Sequence, residues 1–208
     1  MSRKRIFTDE ELEAMGTRTL DVLLETLESG DRETAVKLAS RMYAEFSAMH
    51  DLYRDWLTHT FSVVDRRFGD EALSEVLEET VKGFTDRHTD RYEGKSLKRR
   101  IQIMMAGLRG HLQPIKIEED DEKFTLTIDP CGSGGCQIQA GMYEGPEAFV
   151  KVKGPYPWTF NRTDFPVYCA HCFYQNKFPL VPGDDVSCKI VPADPPGRAP
   201  CKFYLYKK

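Results

Sequence analysis

Four of the six cysteines in this chain fall in two close pairs, Cys131 and Cys136 within "PCGSGGC", and Cys169 and Cys172 within "YCAHC". In a reducing compartment, closely spaced pairs serve more often as metal ligands or reactive thiols than as disulfides. Zinc takes four soft or borderline ligands in a tetrahedron, and two short chelate loops can supply them. Cys169-x2-Cys172 has the commonest knuckle spacing, and Cys131-x4-Cys136 is a looser version of it. The glycines at 132, 134 and 135 let backbone amides turn towards sulfur and favour thiolate charge. The expectation is a zinc site built from Cys131, Cys136, Cys169 and Cys172, with Cys188 and Cys201 as ordinary buried thiols.

A variant of this site would do chemistry. His171 sits inside the Cys169–Cys172 pair and can replace one thiol, most readily Cys136. Three protein ligands plus water make a catalytic centre, because the metal brings the water pKa towards neutrality. A closed four-thiolate site is structural, and the spacing favours it. Cys131 can instead act as a nucleophile, since it precedes an amide-rich loop able to lower its pKa and bind an oxyanion.

Two histidines fall on helical stripes. His50 lies about 40° from Phe46 around an ideal helix, and His88 continues the stripe of Leu77 and Phe84. Facing a shared cavity, they can serve as acid and base or bind a metal; otherwise they are hydrogen-bonded core residues. Trp158, Phe160 and Phe165 precede the second cysteine pair and can wall a pocket beside it or pack a loop.

These residues need elements to hold them, and the chain has two rhythms. The first, 1–112, reads as helix. Thr8 to Glu11 matches a capping box, Gly30 a C-cap and Asp31 the next N-cap. Ala35, Ala39, Met42, Phe46, Tyr53, Leu57, Thr60 and Val64 share one helical stripe, expected to face the core. Gly69 and Asp70 break the pattern, and two further stripes follow: Leu73, Leu77, Val81 and Phe84, then Leu97, Ile101, Met105 and Leu108. That gives four helices ending near His111. The second rhythm, 113–208, holds all the prolines and alternating stretches such as "KFTLTI", "AFVKVKG" and "CKFYLYKK", with a hairpin across Asp120-Asp121. Its long loops bury little apolar surface and call for a staple, here the zinc. The fold class is α+β: a helical bundle packed as one unit on a small antiparallel sheet with a zinc-stapled, loop-rich C-terminal half.

Charge bounds the partners. The net charge is −4, the helical part is acidic, and "KSLKRR" is the one basic cluster, so nucleic acid is not the expected partner. No apolar stretch has membrane-spanning length and no signal peptide opens the chain, so the cytoplasm is expected. A small-molecule ligand or substrate fits best, with an acidic helical half able to support a homodimer.

Four short stretches, "FGDEALSEVL", "FTLTIDPC", "VYCAHC" and "GRAPCKFYLY", resemble in order the L-2-amino-thiazoline-4-carboxylic acid hydrolase-like proteins and the related 4-vinyl reductase domains. The similarity is spread over 63–208. The CxHC pair, the glycine-rich "CGSGGC" and the proline-rich loops depart from that pattern. "HDLYRDW" and "PCGSGG" also resemble a group of uncharacterised bacterial proteins, which implies no activity. The hydrolase-like resemblance implies a small-molecule hydrolase or lyase acting on a C–N or C–S bond. Metal-bound water or Cys131 would be its nucleophile, and His50 or His88 its proton carrier. The competing expectation is a non-catalytic ligand-sensing or partner-docking module with structural zinc.

Overall fold

The computed structural model describes residues 6–112, 114–179 and 181–208. It divides into two compact units, Met1–Tyr53 and Arg54–Lys208.

The first unit is helical. Helix α1 (Asp9–Gly16) opens on the expected capping box: Thr8 Oγ1 accepts from the Glu11 amide at 3.2 Å, and the Thr8 amide donates to the Glu11 carboxylate at 2.8 Å. Helix α2 (Thr19–Ser29) ends at Gly30, whose φ of 82° is the left-handed cap that glycine adopts without a Cβ penalty. Asp31 then accepts from the Thr34 amide at 3.0 Å and starts α3 (Arg32–His88).

Helix α3 continues into the second unit and breaks at Gly69, at φ 82° and ψ 178°. The stripe expected to face the core is largely outward: Met42, Phe46, Tyr53 and Leu57 are exposed, while Ala35 is buried. Between Arg54 and Ser62 the buried positions are instead Arg54, Thr58, Phe61 and Ser62. The reason is long-range hydrogen bonding. Ser62 Oγ accepts from the Val150 amide at 3.1 Å, and Thr58 Oγ1 accepts from Gln137 at 2.7 Å. Polar groups with partners can be buried at little cost, and apolar periodicity does not report them.

The second unit has two cores. In one, Phe61, Leu73, Leu77 and Val81 of α3 pack on Val152, Trp158, Phe165 and Val167. In the other, α4 (Leu97–Arg109) lays Ile101, Met104 and Met105 on a four-stranded sheet through Leu126, Ile128, Ile190 and Leu205. Each fully buried leucine stabilises the fold by about 2 kcal/mol. The sheet order is β1 (Ile115–Glu119), β2 (Lys123–Ile128), β6 (Cys201–Lys207), β5 (Val186–Val191), antiparallel throughout. The β1–β2 hairpin was legible in the sequence. Strand β5 was not, because "VSCKIV" is short and sits between proline-rich loops. Strands β3 (Lys151–Val152) and β4 (Phe165–Pro166) form a separate pair. The chain is therefore α+β. Among the described residues no helix is long and apolar enough to cross a membrane.

One register positions the chemistry. Ile128, the last residue of β2, pairs with Cys201, the first of β6. Cys131 follows Ile128 by three residues, so the sheet itself brings Cys201 to the glycine-rich loop.

Candidate functional site

Beyond β2 the chain passes through Pro130 and Cys131 into the short helix α5 (Gly134–Gln139). The Cys136 amide donates to the Cys131 carbonyl at 2.9 Å and closes the loop. Arg54, 8% exposed, reaches the Gly132 carbonyl at 3.4 Å and the Asp55 carboxylate at 2.8 Å, fixing the loop from the α3 side. Opposite, Cys169 lies in the 3₁₀ turn Val167–Ala170, and His171 and Cys172 open α6 (His171–Lys177). Cys131, Cys169, His171, Cys172 and Cys201 line one cavity of about 30 Å³. Cys201 was read from sequence as an ordinary buried thiol; its place in the cavity follows from strand register, which its spacing does not reveal.

Backbone groups press on the sulfurs. A Cβ added at Gly134 would lie 2.7 Å from Cys169 Sγ, so only glycine lets the loop come this close. The Ala193 amide donates to Cys201 Sγ at 3.4 Å. Burial pushes the Cys169 and Cys172 thiols well above the usual cysteine range, and neighbouring thiols add to it: Cys131 and Cys201 act on both. Burial also raises Cys201, and pushes the nearby Cys188 up to about 12. Without a cation these sulfurs are held as thiols; bound metal deprotonates them.

The Nδ1–H of His171 donates to the Tyr168 carbonyl, and its Nε2 lies 3.9 Å from Cys172 Sγ. Burial lowers its pKa, which favours the neutral ring. Cys136 is half-buried on α5 and is not among the residues lining the cavity. Among the described residues no three His, Cys, Asp or Glu side chains gather closely enough to hold a metal ion, so the zinc staple is not shown.

A second, larger cavity of about 550 Å³ lies between the end of α3 and α4. Its walls include His88, Arg91, Tyr92, Arg99, Gln102 and His111, and no aspartate or glutamate is among its lining residues. His88 Nδ1 is 2.8 Å from the Phe84 carbonyl. A carbonyl only accepts, so Nδ1 carries the proton and the neutral ring keeps its lone pair on Nε2. His111 was missed from sequence because it follows the last periodic turn of α4. Its Nδ1 is 3.1 Å from Ser133 Oγ, in the loop between Cys131 and Cys136. Gln175 of α6 also lines this cavity, four residues after His171.

The remaining expected residues lie elsewhere. His50 belongs to the first unit, with its Nδ1 3.0 Å from Asp51 Oδ1. Trp158 and Phe165 are buried in the first core, and Phe160 packs on Phe165 and Phe173 at 5.8 and 6.0 Å. These aromatics pack the core and are not among the residues lining either cavity. Asp55 is half-buried and bonded to Arg54 and Gln137.

Compared with known protein families, with characterised proteins and with solved structures, the chain matches none.

Proposed function

We propose that this protein is a small-molecule enzyme, a hydrolase or lyase acting on a C–N or C–S bond, whose substrate is an anion seated in the 550 Å³ cavity. The observation that carries this reading is the lining: two arginines and two histidines without a carboxylate. Arg91 and Arg99 would take a carboxylate or phosphate of the substrate, since guanidinium matches both geometries. His88, through Nε2, is the proton carrier. His111 orients the same anion and joins it to the thiol loop through Ser133.

The test is calorimetry with a panel of small carboxylates and phosphates against neutral isosteres of the same size. Anions are expected to bind and isosteres to fail, and Arg99→Gln should weaken binding at least about ten-fold, the cost of one charged hydrogen bond. Equal affinity for the neutral isosteres would sink the reading.

One observation favours a second reading, a ligand-sensing module. The thiols line a small cavity of their own, and His50 belongs to the other unit. An anion that binds tightly and is recovered unchanged after prolonged incubation would decide for sensing over catalysis.

A further inference from the structure

Beside its two arginines, the 550 Å³ cavity is walled by rings and aliphatic side chains. Phe84 and His88 lie on the last turns of α3, and Tyr92 comes just past its end. Residues four apart share a helix face. The Phe84 and His88 rings stand with centroids 4.4 Å apart and planes 31° from parallel. The bond from His88 Nδ1–H to the Phe84 carbonyl, at 2.8 Å, holds the imidazole in that position. Phe84 is nonetheless 53% exposed, so its ring is offered to the cavity as an open shelf. From α4 come Ile103, Met104 and Leu108. Gly107, on the same helix and also lining the cavity, has nothing within 4 Å of an added Cβ. A glycine inside a helix costs stability relative to alanine, and here it leaves the space open.

Size points the same way. One water takes roughly 30 Å³ of the liquid, so acetate or inorganic phosphate alone would leave most of this volume as solvent. Cavities of several hundred Å³ hold ligands with an apolar body and a few fixed polar contacts.

We propose that the anion taken by this cavity carries a planar aromatic ring: it is an aryl carboxylate or aryl phosphate. The inference rests on the anion reading of the same cavity and adds a body to the ligand's charge. The ring extends the Phe84–His88 pair in offset or edge-to-face contact, the geometries that aromatic groups prefer. Ile103, Met104 and Leu108 cover it from the α4 side. The oxyanion goes to Arg91 and Arg99, and Arg99 is already steadied by a bond from Nη1 to Gln102 Oε1 at 3.2 Å. A flexible acyl chain could fill the same volume, but it gains nothing from the row of rings and loses more conformational freedom on binding.

Calorimetry on the full chain compares phenylacetate with acetate, cyclohexylacetate and phenylacetamide. Phenylacetate is expected to bind at least about ten-fold more tightly than acetate, through the apolar area it buries. It should also bind at least about three-fold more tightly than cyclohexylacetate, which has the same carbon skeleton without a flat ring. Phenyl phosphate against inorganic phosphate repeats the comparison with the other head group. Phe84→Leu keeps an apolar side chain at an exposed position, so the fold is not at risk. It should weaken phenylacetate several-fold and leave acetate unchanged. Phenylacetate no tighter than acetate, or cyclohexylacetate as tight as phenylacetate, would overturn the aromatic assignment and leave the anion reading standing. Phenylacetamide as tight as phenylacetate would remove the charge, and with it the reading on which this one rests. Absence of binding by phenylacetate and phenyl phosphate alike would also overturn the proposal.

Discussion

Ser133 Oγ and His111 Nδ1 are 3.1 Å apart, so the loop that carries Cys131 is hydrogen-bonded to a side chain lining the large cavity. One hydrogen bond thus ties the loop that walls the thiol cavity to a wall of the large one. Ser133→Ala removes that bond without adding volume. It should lower unfolding free energy by about 1 kcal/mol, the net worth of an ordinary hydrogen bond. It should also weaken anion binding several-fold, because His111 loses the partner that orients it. Denaturant unfolding and calorimetry read the two effects separately. An unchanged affinity would remove His111 from the binding site.

Gly134 is the position where the thiol site tolerates least. Its added Cβ would meet Cys169 Sγ at 2.7 Å, a separation that real Cβ atoms essentially never show. Gly134→Ala should therefore displace Cys169 and lower the melting temperature. Gly83, inside α3 with nothing within 4 Å of its added Cβ, is the matched control. Gly83→Ala should stabilise by up to about 1 kcal/mol through helix propensity alone. Thermal unfolding of the two variants checks the contrast. A parental melting temperature in Gly134→Ala would mean that the loop moves aside freely.

How much of this could be read from the residues differs between elements. Thr8, Gly30 and Asp31 announced their caps because capping is local chemistry, decided within four residues. Gly69 announced its break for the same reason. The apolar stripe misled from Arg54 to Ser62, because the buried face of that stretch is held by Arg54, Thr58 and Ser62 through partners 78 to 88 residues away. The cysteine site was half legible. Cys169 and Cys172 stand close in sequence and in space, whereas Cys201 reaches Cys131 only through the pairing of β2 with β6. Chelate spacing measures loops; it cannot measure strand register. His111 carried no signal at all, since a histidine after a C-terminal turn looks like any other surface residue.

Asp65 gives the fold a pH dependence of defined sign. Burial is the main reason its carboxyl is raised to about 6, and the neighbouring Asp70 adds to it. Its Oδ1 is buried with no hydrogen-bond partner among the described residues. A group whose folded pKa lies above its unfolded value contributes stability that is complete below the unfolded pKa, near 3.8. That contribution is lost as pH rises through about 6. Asp65→Asn removes the titration. The variant and the parent should melt at similar temperatures near pH 4, and the variant should melt higher above pH 6. Melting curves at matched ionic strength across this window test it. A difference in melting temperature that does not change with pH would refute the assignment.

Gln137 couples the long helix to the thiol loop, and its charge state can be engineered. It is fully buried; its amide nitrogen donates to Asp55 Oδ1 at 2.9 Å and to Thr58 Oγ1 at 2.7 Å. Its carbonyl accepts from Tyr143 at 3.3 Å, and the Tyr143 hydroxyl accepts from the Tyr168 amide at 3.4 Å, one residue before Cys169. Gln137→Leu keeps the volume and strands these partners, which should cost about 2 kcal/mol. Gln137→Glu is the sharper probe. It puts a second carboxyl against Asp55 in a buried site, where two like charges cannot both ionise cheaply. The substitution should destabilise more than Gln137→Leu at neutral pH and recover as the pH falls and the pair takes up a proton. A Gln137→Glu protein with parental stability at neutral pH would show that Asp55 can leave this network, and that α3 does not hold the thiol loop through it.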